Sequence, residues 1–136
     1  MTDIYDLVPK NKFDNSNIEK LKQLSNNEIE PILPALLELI QDCNWPVASD
    51  ILEVLALHQS AIVPLIHKVL SPNEKDDVWK YWIITRLAPL FSDRSIKCIL
   101  PDIKRIAQIP TQDELKEDVN GAAVLFLQNR LSKASR

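Results

Sequence analysis

Glycine is almost absent from this 136-residue sequence, which contains Gly121 alone against nine prolines. Phosphate-binding loops, dinucleotide-binding turns and most two-residue hairpins need glycine for their backbone angles. Its scarcity therefore excludes those nucleotide-binding classes and argues against an antiparallel sheet. Hydrophobic residues make up 46% of the chain and charged residues 26%, a balance typical of a soluble globular protein. We expect an all-α fold in one domain over residues 1–136, with residues 1–14 as an extended N-terminal segment.

Cysteine and targeting features are equally sparse. Cys43 and Cys98 lie 55 positions apart, with no Cys-x-x-Cys pair. They are predicted to be two buried thiols, which suits a reducing compartment. The N-terminus lacks the basic and apolar regions of a signal peptide, and no apolar run is long enough to span a bilayer. The cytoplasm is therefore the predicted location, with no membrane partner.

Three apolar segments share a central proline, and the prolines are 30 and 37 positions apart. The segments are Ile32 to Leu36, Ile62 to Ile66 and Ile99 to Ile103. A further helical stretch precedes each of them, so the pattern predicts helix pairs that stack into a short solenoid of about seven helices. The predicted helices are 16–24, 31–41, 46–57, 60–70, 77–90, 93–107 and 112–131.

Capping-box patterns support these boundaries. In such a box a Ser or Thr is followed three residues later by Glu, and each side chain satisfies a free amide at the helix start. The pattern occurs at Ser16/Glu19, Ser25/Glu28, Ser71/Glu74 and Thr111/Glu114.

Four strings carry a resemblance that covers nearly the whole chain. They are LVPKNKFD (7–14), LIQDCNWPVA (39–48), DDVWKYWII (76–84) and IPTQDELKEDV (109–119). They resemble a family of small bacterial proteins known as domain of unknown function 5071, and NWPVA and WKYW are the most specific parts. The resemblance implies a HEAT-like helical fold. It brings no established activity and no catalytic residue.

Few residues suggest chemistry. His58 and His67 are nine positions apart, and each lacks a carboxylate at the helical spacing of three or four that metal ligands need, so we predict no zinc site. Asp113, Glu114 and their neighbours form an acidic cluster that could serve acid–base chemistry. The simpler interpretation is that they favour the positive end of the last helix dipole. We predict no catalytic residue, no metal ligand, no cofactor and no enzyme activity.

An aromatic cluster allows two interpretations. Trp79, Tyr81 and Trp82 lie within four residues on the predicted helix 77–90. That helix is mostly apolar, which favours a buried position for Trp82, whose replacement by alanine would then cost roughly 3–5 kcal/mol. The alternative is a binding surface, because Lys80, Tyr81 and Arg86 have to emerge near the aromatic rings.

Charge is unevenly distributed. Residues 23–67 contain six acidic residues and no lysine or arginine, a net charge of −6, whereas the remaining residues sum to +3. Glu38, Asp42, Asp50 and Glu53 are predicted to point away from the apolar helix faces. This acidic surface is either solvated or a docking surface. The candidate partner-binding residues are Glu38, Asp42, Trp45, Asp50, Glu53, Lys80 and Tyr81.

Two functions from different classes follow. The first is a non-catalytic interaction module with a basic protein partner, of which one specific version is an immunity-type inhibitor of a toxin nuclease. The alternative is a HEAT-like DNA-binding enzyme resembling alkylpurine DNA glycosylases, in which Trp79, Trp82, Lys80 and Arg86 would contact DNA. The net charge of −3 argues against a nucleic-acid partner. The oligomeric state has no signature in the sequence.

Overall fold

A computed structural model describes residues 3–134, with side chains through residue 130. Helices and turns make up this part of the chain, and no strand occurs in it, so the all-α prediction is confirmed. The HEAT-like stacking of repeats stays a prediction. The chain divides into two compact units, a first unit up to Ile62 and a second unit from Val63 onward. The single-domain prediction likewise stays a prediction.

Short helices build the first unit. They are a 3-10 turn at Ile4–Leu7, α1 (Ile18–Gln23), α2 (Asn26–Ile29), a 3-10 turn at Glu30–Ile32, α3 (Leu33–Glu38), a 3-10 turn at Leu39–Gln41 and α4 (Ala48–Leu57). The division between the units falls within α5 (Gln59–Val69). The 3-10 turn at Ile4–Leu7 lies in the N-terminal segment that was predicted to be extended.

Prolines explain why the first unit has a succession of short helices where one helix over 31–41 was predicted. Pro31 and Pro34 each occupy the first turn of a helical segment, where the missing N–H leaves no hydrogen bond unmade. The apolar positions that recur at helical spacing in this stretch and around α4 are buried, as are Ala48 and Leu52: Ile32, Leu33, Leu36, Leu37, Ile40, Val47, Ile51, Val54 and Leu55.

The second unit contains longer elements. They are α6 (Asp77–Trp82), a π-helical turn at Ile83–Leu87, a 3-10 turn at Ala88–Leu90, α7 (Asp93–Gln108), α8 (Gln112–Lys116) and α9 (Val119–Ala134). The predicted helices 77–90 and 93–107 agree with these bounds to within one residue. The prediction of a single helix over 112–131 is wrong. The chain forms two helices, α8 and α9, and Asp118 between them has a left-handed φ of 60°.

Two burial predictions, for Cys98 and for Trp82, need correction. Cys43 is buried, but Cys98 is exposed on α7. Trp79 is the buried tryptophan of α6, whereas Trp82 is half-buried. The adjacent Val78 is 43% exposed, so the apolar face of α6 is narrower than its composition indicates.

Within residues 3–134, no single helix is long and apolar enough to cross a bilayer. The bent pair of α4 and α5 reaches the required length and apolar composition only when the two helices are taken together.

Candidate functional site

A cavity of about 380 Å³ in the first unit brings together three of the predicted partner-binding residues, Glu38, Asp42 and Trp45. We call it the acidic cavity. Its lining residues are Val8, Ala35, Glu38, Leu39, Gln41, Asp42 and Trp45. Four of these side chains are apolar and two are carboxylates, and none is basic.

Local hydrogen bonds place Trp45 beside the two carboxylates. After the 3-10 turn at Leu39–Gln41, Asp42 Oδ1 accepts from the Asn44 backbone N–H at 2.9 Å. The Trp45 backbone N–H donates to the Asp42 carbonyl at 3.2 Å. Such aspartate turns reverse the chain within a few residues. The Val47 N–H also donates to the Lys12 carbonyl at 3.1 Å, which ties the N-terminal segment to this turn.

The carboxylates of the acidic cavity have no basic counter-ion in the part of the chain that the structure describes. Glu38 and Asp42 are exposed, and neither forms an ion pair there. Trp45 is half-buried, so part of its indole remains accessible. The cavity therefore combines negative charge with apolar and aromatic surface.

The other two acidic candidates lie on α4, outside the cavity lining. Glu53 Oε2 accepts from Lys22 Nζ at 3.0 Å. This hydrogen bond raises the Lys22 pKa, and the nearby charge of Asp50 acts in the same direction. The expectation that these acids have no local basic partner is therefore wrong for Glu53. Lys22 directly precedes residues 23–67, the segment without lysine or arginine, and the packing of α1 on α4 brings Lys22 to Glu53.

The prediction that Lys80 binds a partner is wrong, because the Lys80 side chain is completely buried. Its Nζ lies 2.8 Å from Glu114 Oε2 and 3.2 Å from Asp77 Oδ1. Tyr81 is half-buried and packs edge-on against Trp82, with ring centroids 5.3 Å apart. Both residues belong to the second unit, whereas the other five candidates belong to the first.

The sequence analysis missed a buried ionic network in the second unit, formed by Asp77, Lys80, Arg105 and Glu114. Arg105 donates to both carboxylate oxygens of Glu114 at 2.7 Å, and also to the Leu70 carbonyl at 2.8 Å. Asp77 Oδ1 accepts no hydrogen bond of good geometry, but it forms an ion pair with the Lys80 ammonium group. The only local signature was the spacing of three between Asp77 and Lys80, because the other contacts join distant parts of the sequence.

Glu114 has a strongly shifted pKa. Burial by itself would raise this pKa, but hydrogen bonds from Arg105, Lys80 and the Thr111 N–H outweigh burial and lower the pKa to about 2. A general acid or base works best with a pKa near the operating pH. Glu114 is therefore a permanent anion at neutral pH, and its geometry suits a structural counter-ion.

A second cavity, of about 440 Å³, lies in the second unit. Its lining residues are Lys75, Asp76, Asp77, Val78, Asp113, Lys116 and Glu117. The two lysines offset part of the charge of the four carboxylates. Among the described residues, no group of three or more His, Cys, Asp or Glu side chains is arranged to hold a metal ion.

The histidines have separate structural contacts. His58 is buried at the end of α4, where its Nδ1 lies 2.7 Å from Asn26 Oδ1. His67 Nδ1 lies 2.5 Å from Asp102 Oδ2, a carboxylate 35 residues away. His58 therefore packs in the interior, and His67 pairs with a carboxylate at the surface.

A comparison with protein-family models found one match, over residues 7–127, to the family described as Domain of unknown function (DUF5071). No curated protein matches the chain. The family resemblance predicted from the sequence strings is confirmed, while the HEAT-like and bacterial character of the family stays a prediction.

Proposed function

Because the chain belongs to the family of domain of unknown function 5071, which is described by no activity, we propose its function from its own surface: a non-catalytic interaction module that binds a basic protein. The observation that carries this proposal is the acidic cavity, in which the carboxylates of Glu38 and Asp42 have no described counter-ion beside Trp45. Tryptophan is enriched among the residues that dominate binding energy at protein interfaces.

Charge distribution supports a basic partner. Residues 1–62 carry ten acidic and four basic side chains, a formal net charge of −6. Residues 63–136 carry nine acidic and twelve basic side chains, a net charge of +3. A concentrated negative potential raises the association rate with a cationic surface and disfavours anionic competitors.

The more specific form of the proposal is an immunity-type inhibitor that covers a basic nuclease toxin in the cytoplasm. An inhibitor that competes with nucleic acid for a basic surface has to present concentrated negative charge itself, and the first unit has a formal net charge of −6. The DNA-binding alternative loses two of its four residues, because Trp79 and Lys80 are buried and cannot reach a duplex.

The proposal is tested with a charge reversal confined to the acidic cavity. The variant Glu38→Lys/Asp42→Lys is compared with the control Glu19→Lys/Glu30→Lys, which makes the same change in net charge at exposed positions that do not line the cavity. Wild type and both variants are used to capture proteins from the source cell, and each captured protein is then purified and titrated.

We expect a basic protein that associates with the cavity variant about tenfold or more slowly than with wild type at low salt. The difference should shrink at about 1 M salt, where charges are screened within about 3 Å. The control should retain most of the rate. A partner that binds the cavity variant and wild type alike, or capture of no basic protein, would contradict the proposal.

A further inference from the structure

We propose that the acidic cavity binds a single arginine side chain of the partner, with Glu38 and Asp42 as counter-ions and Trp45 as the aromatic contact. This inference rests on the proposed function, because it assigns the chemistry by which the same cavity recognises a basic protein. It names the residue type that enters the cavity.

The lining chemistry matches both halves of an arginine side chain. Val8, Ala35, Leu39 and the indole of Trp45 offer apolar surface to the aliphatic stem. The carboxylates of Glu38 and Asp42, with the amide of Gln41, offer acceptors to the guanidinium. Guanidinium also stacks on aromatic rings and is more weakly hydrated than ammonium, which favours arginine over lysine.

The two cavity carboxylates lack the strong partners that Glu28, Glu53 and Asp14 have in the first unit. Glu53 is engaged by Lys22, and Glu28 closes a capping box with Ser25. Asp14 accepts from the Ser16 hydroxyl and from the Lys10 backbone N–H. Glu38 receives no described hydrogen bond on its carboxylate, and Asp42 receives one, from a neutral backbone N–H. A cationic ligand would therefore form its ion pairs without breaking existing ones.

The cavity is also held in place before a ligand arrives. The Asp42 carbonyl accepts from the Trp45 N–H, and the Trp45 carbonyl accepts from the Ala48 N–H at 3.0 Å. Trp45 is half-buried, so packing restrains the ring while part of it faces solvent. A restrained aromatic anchor loses less conformational entropy on binding. The volume of about 380 Å³ lies at the small end of the range for ligand cavities and is large enough to admit one arginine side chain together with water.

The experiment titrates the full chain with three neutral-backbone probes: Nα-acetyl-arginine amide, Nα-acetyl-lysine amide and Nα-acetyl-citrulline amide. Citrulline keeps the shape of arginine but has no charge. Binding is followed by two-dimensional NMR through the indole N–H of Trp45 and the side-chain amide of Gln41. We expect saturable shifts with the arginine probe, a Kd at least about threefold higher with lysine, and no saturable shift with citrulline.

Three variants locate the site. Glu38→Gln and Asp42→Asn keep shape but remove charge, and Trp45→Leu removes the ring, with Gln41 as the remaining reporter. Each should raise the Kd for the arginine probe about tenfold, because a charge-assisted or aromatic contact is lost. The control Glu30→Gln removes one exposed charge outside the cavity and should leave the Kd within about twofold. The dispersion of the remaining amide signals verifies that each variant is folded.

The outcomes separate this inference from the proposed function. Equal binding of arginine and lysine, or equal effects of Glu38→Gln and Glu30→Gln, would overturn the arginine site while the acidic cavity could still dock a basic protein. Saturable, Glu38-dependent binding of arginine supports the inference even if no captured basic protein is sensitive to the cavity reversal, a result that would overturn only the proposed function.

Discussion

Lys80 is a long cationic side chain with no solvent contact, and its charge is balanced within the protein by Glu114 and Asp77. The attraction in such a buried pair offsets the desolvation of both ions, whereas removal of one partner leaves an uncompensated charge. Removing one member of the pair is therefore expected to lower stability by much more than the intact pair adds to it.

We expect Glu114→Gln to lower the free energy of unfolding by about 3–5 kcal/mol, because Lys80 loses its main counter-ion. Urea denaturation at neutral pH measures this loss. The double variant Lys80→Met/Glu114→Gln removes both members of the pair but leaves Asp77 without its cation, and it should lose less stability than the sum of the two single variants. If the double variant lost the sum of the two single losses, Lys80 and Glu114 would not be energetically coupled.

Stability should also fall in acid because of Glu114. Its folded-state pKa of about 2 lies below the ordinary glutamate pKa of 4.5, so the folded state holds this proton less tightly than the unfolded state. The stabilisation is fully present above the unfolded pKa and is lost as the pH falls from about 5 toward 2. For a shift of this size it amounts to about 3 kcal/mol. Denaturation of wild type and Glu114→Gln at several pH values checks it, since the variant should lose less stability over that range. Parallel curves would contradict the assignment.

The tryptophans of α6 provide a prediction that differs from the one made from sequence. Trp79 is 9% exposed and Trp82 is half-buried. Trp79→Ala should therefore cost about 3–5 kcal/mol, and Trp82→Ala should cost less. Thermal melts of the two variants establish the order. A larger loss from Trp82→Ala would support the original core assignment of that residue.

The break between α8 and α9 shows how one residue ends a predicted helix. Asp118 adopts φ 60°, which aspartate tolerates better than most residues, and its carbonyl accepts from the Ala122 N–H at 3.1 Å. The sole glycine, Gly121, follows nearby, where a Cβ atom would meet the Asp118 carboxylate and make that side chain rotate away. The glycine gives α9 room to start beside that side chain.

Substitutions at Asp118 test this conformation. Asp118→Val should destabilise the chain by about 1–2 kcal/mol more than Asp118→Gly, because a β-branched residue is strained at positive φ and glycine is not. The comparison is made by chemical denaturation, with Glu117→Val as a control for placing valine at an exposed neighbouring position. Equal losses from Asp118→Val and Asp118→Gly would argue against a left-handed residue at this break.

Capping boxes illustrate what local patterns can and cannot predict about elements. Ser25/Glu28 and Thr111/Glu114 form complete boxes at the starts of α2 and α8. The Ser16 hydroxyl donates to Asp14, and the Ser71 hydroxyl donates to the Lys68 carbonyl, so neither serine caps a helix start. The same residue pattern fits a helix end or a turn, and nearby partners decide which hydrogen bonds form.

The acidic cavity was partly predictable because its key residues are close in sequence. Glu38, Asp42 and Trp45 follow one another across a helix end and a turn, so their grouping needed no tertiary information. Lys80 and Glu114 are 34 residues apart, and only the packing of the second unit brings their charges together. Helical faces were predictable from apolar periodicity, but pairs of charges on different elements leave no periodic pattern.

At the scale of the whole molecule, the net negative charge lies in the first compact unit and the net positive charge in the second. The base-free stretch of residues 23–67 begins inside the first unit and ends five residues beyond Ile62. In the second unit, Lys80 and Arg105 are committed to Glu114. With Asp77, the network holds two acids and two bases, so it leaves the formal net charge of residues 63–136 at +3 but takes two of their twelve basic side chains away from an external ligand.

We consequently expect weak binding to duplex DNA. Filter binding across a salt series should give a Kd no tighter than about 10⁻⁴ M at physiological salt and a shallow salt slope, because the chain has a formal net charge of −3 and Lys80 and Arg105 are held by Glu114. A basic control protein of similar size verifies the assay. A steep slope, corresponding to several phosphate contacts, would restore the DNA-binding alternative.

Glu114 belongs to two structures at once, since it closes the capping box with Thr111 and also neutralises Lys80 and Arg105. This double use has an evolutionary consequence. A lineage that lost the acid at 114 first would leave two cations, Lys80 and Arg105, short of a counter-ion, whereas a lineage that first replaced Lys80 by an apolar residue would keep Glu114 paired with Arg105 and leave only Asp77 without its cation. Descent should therefore favour one order of change, and family members without an acid at the position of Glu114 should also lack a lysine at the position of Lys80.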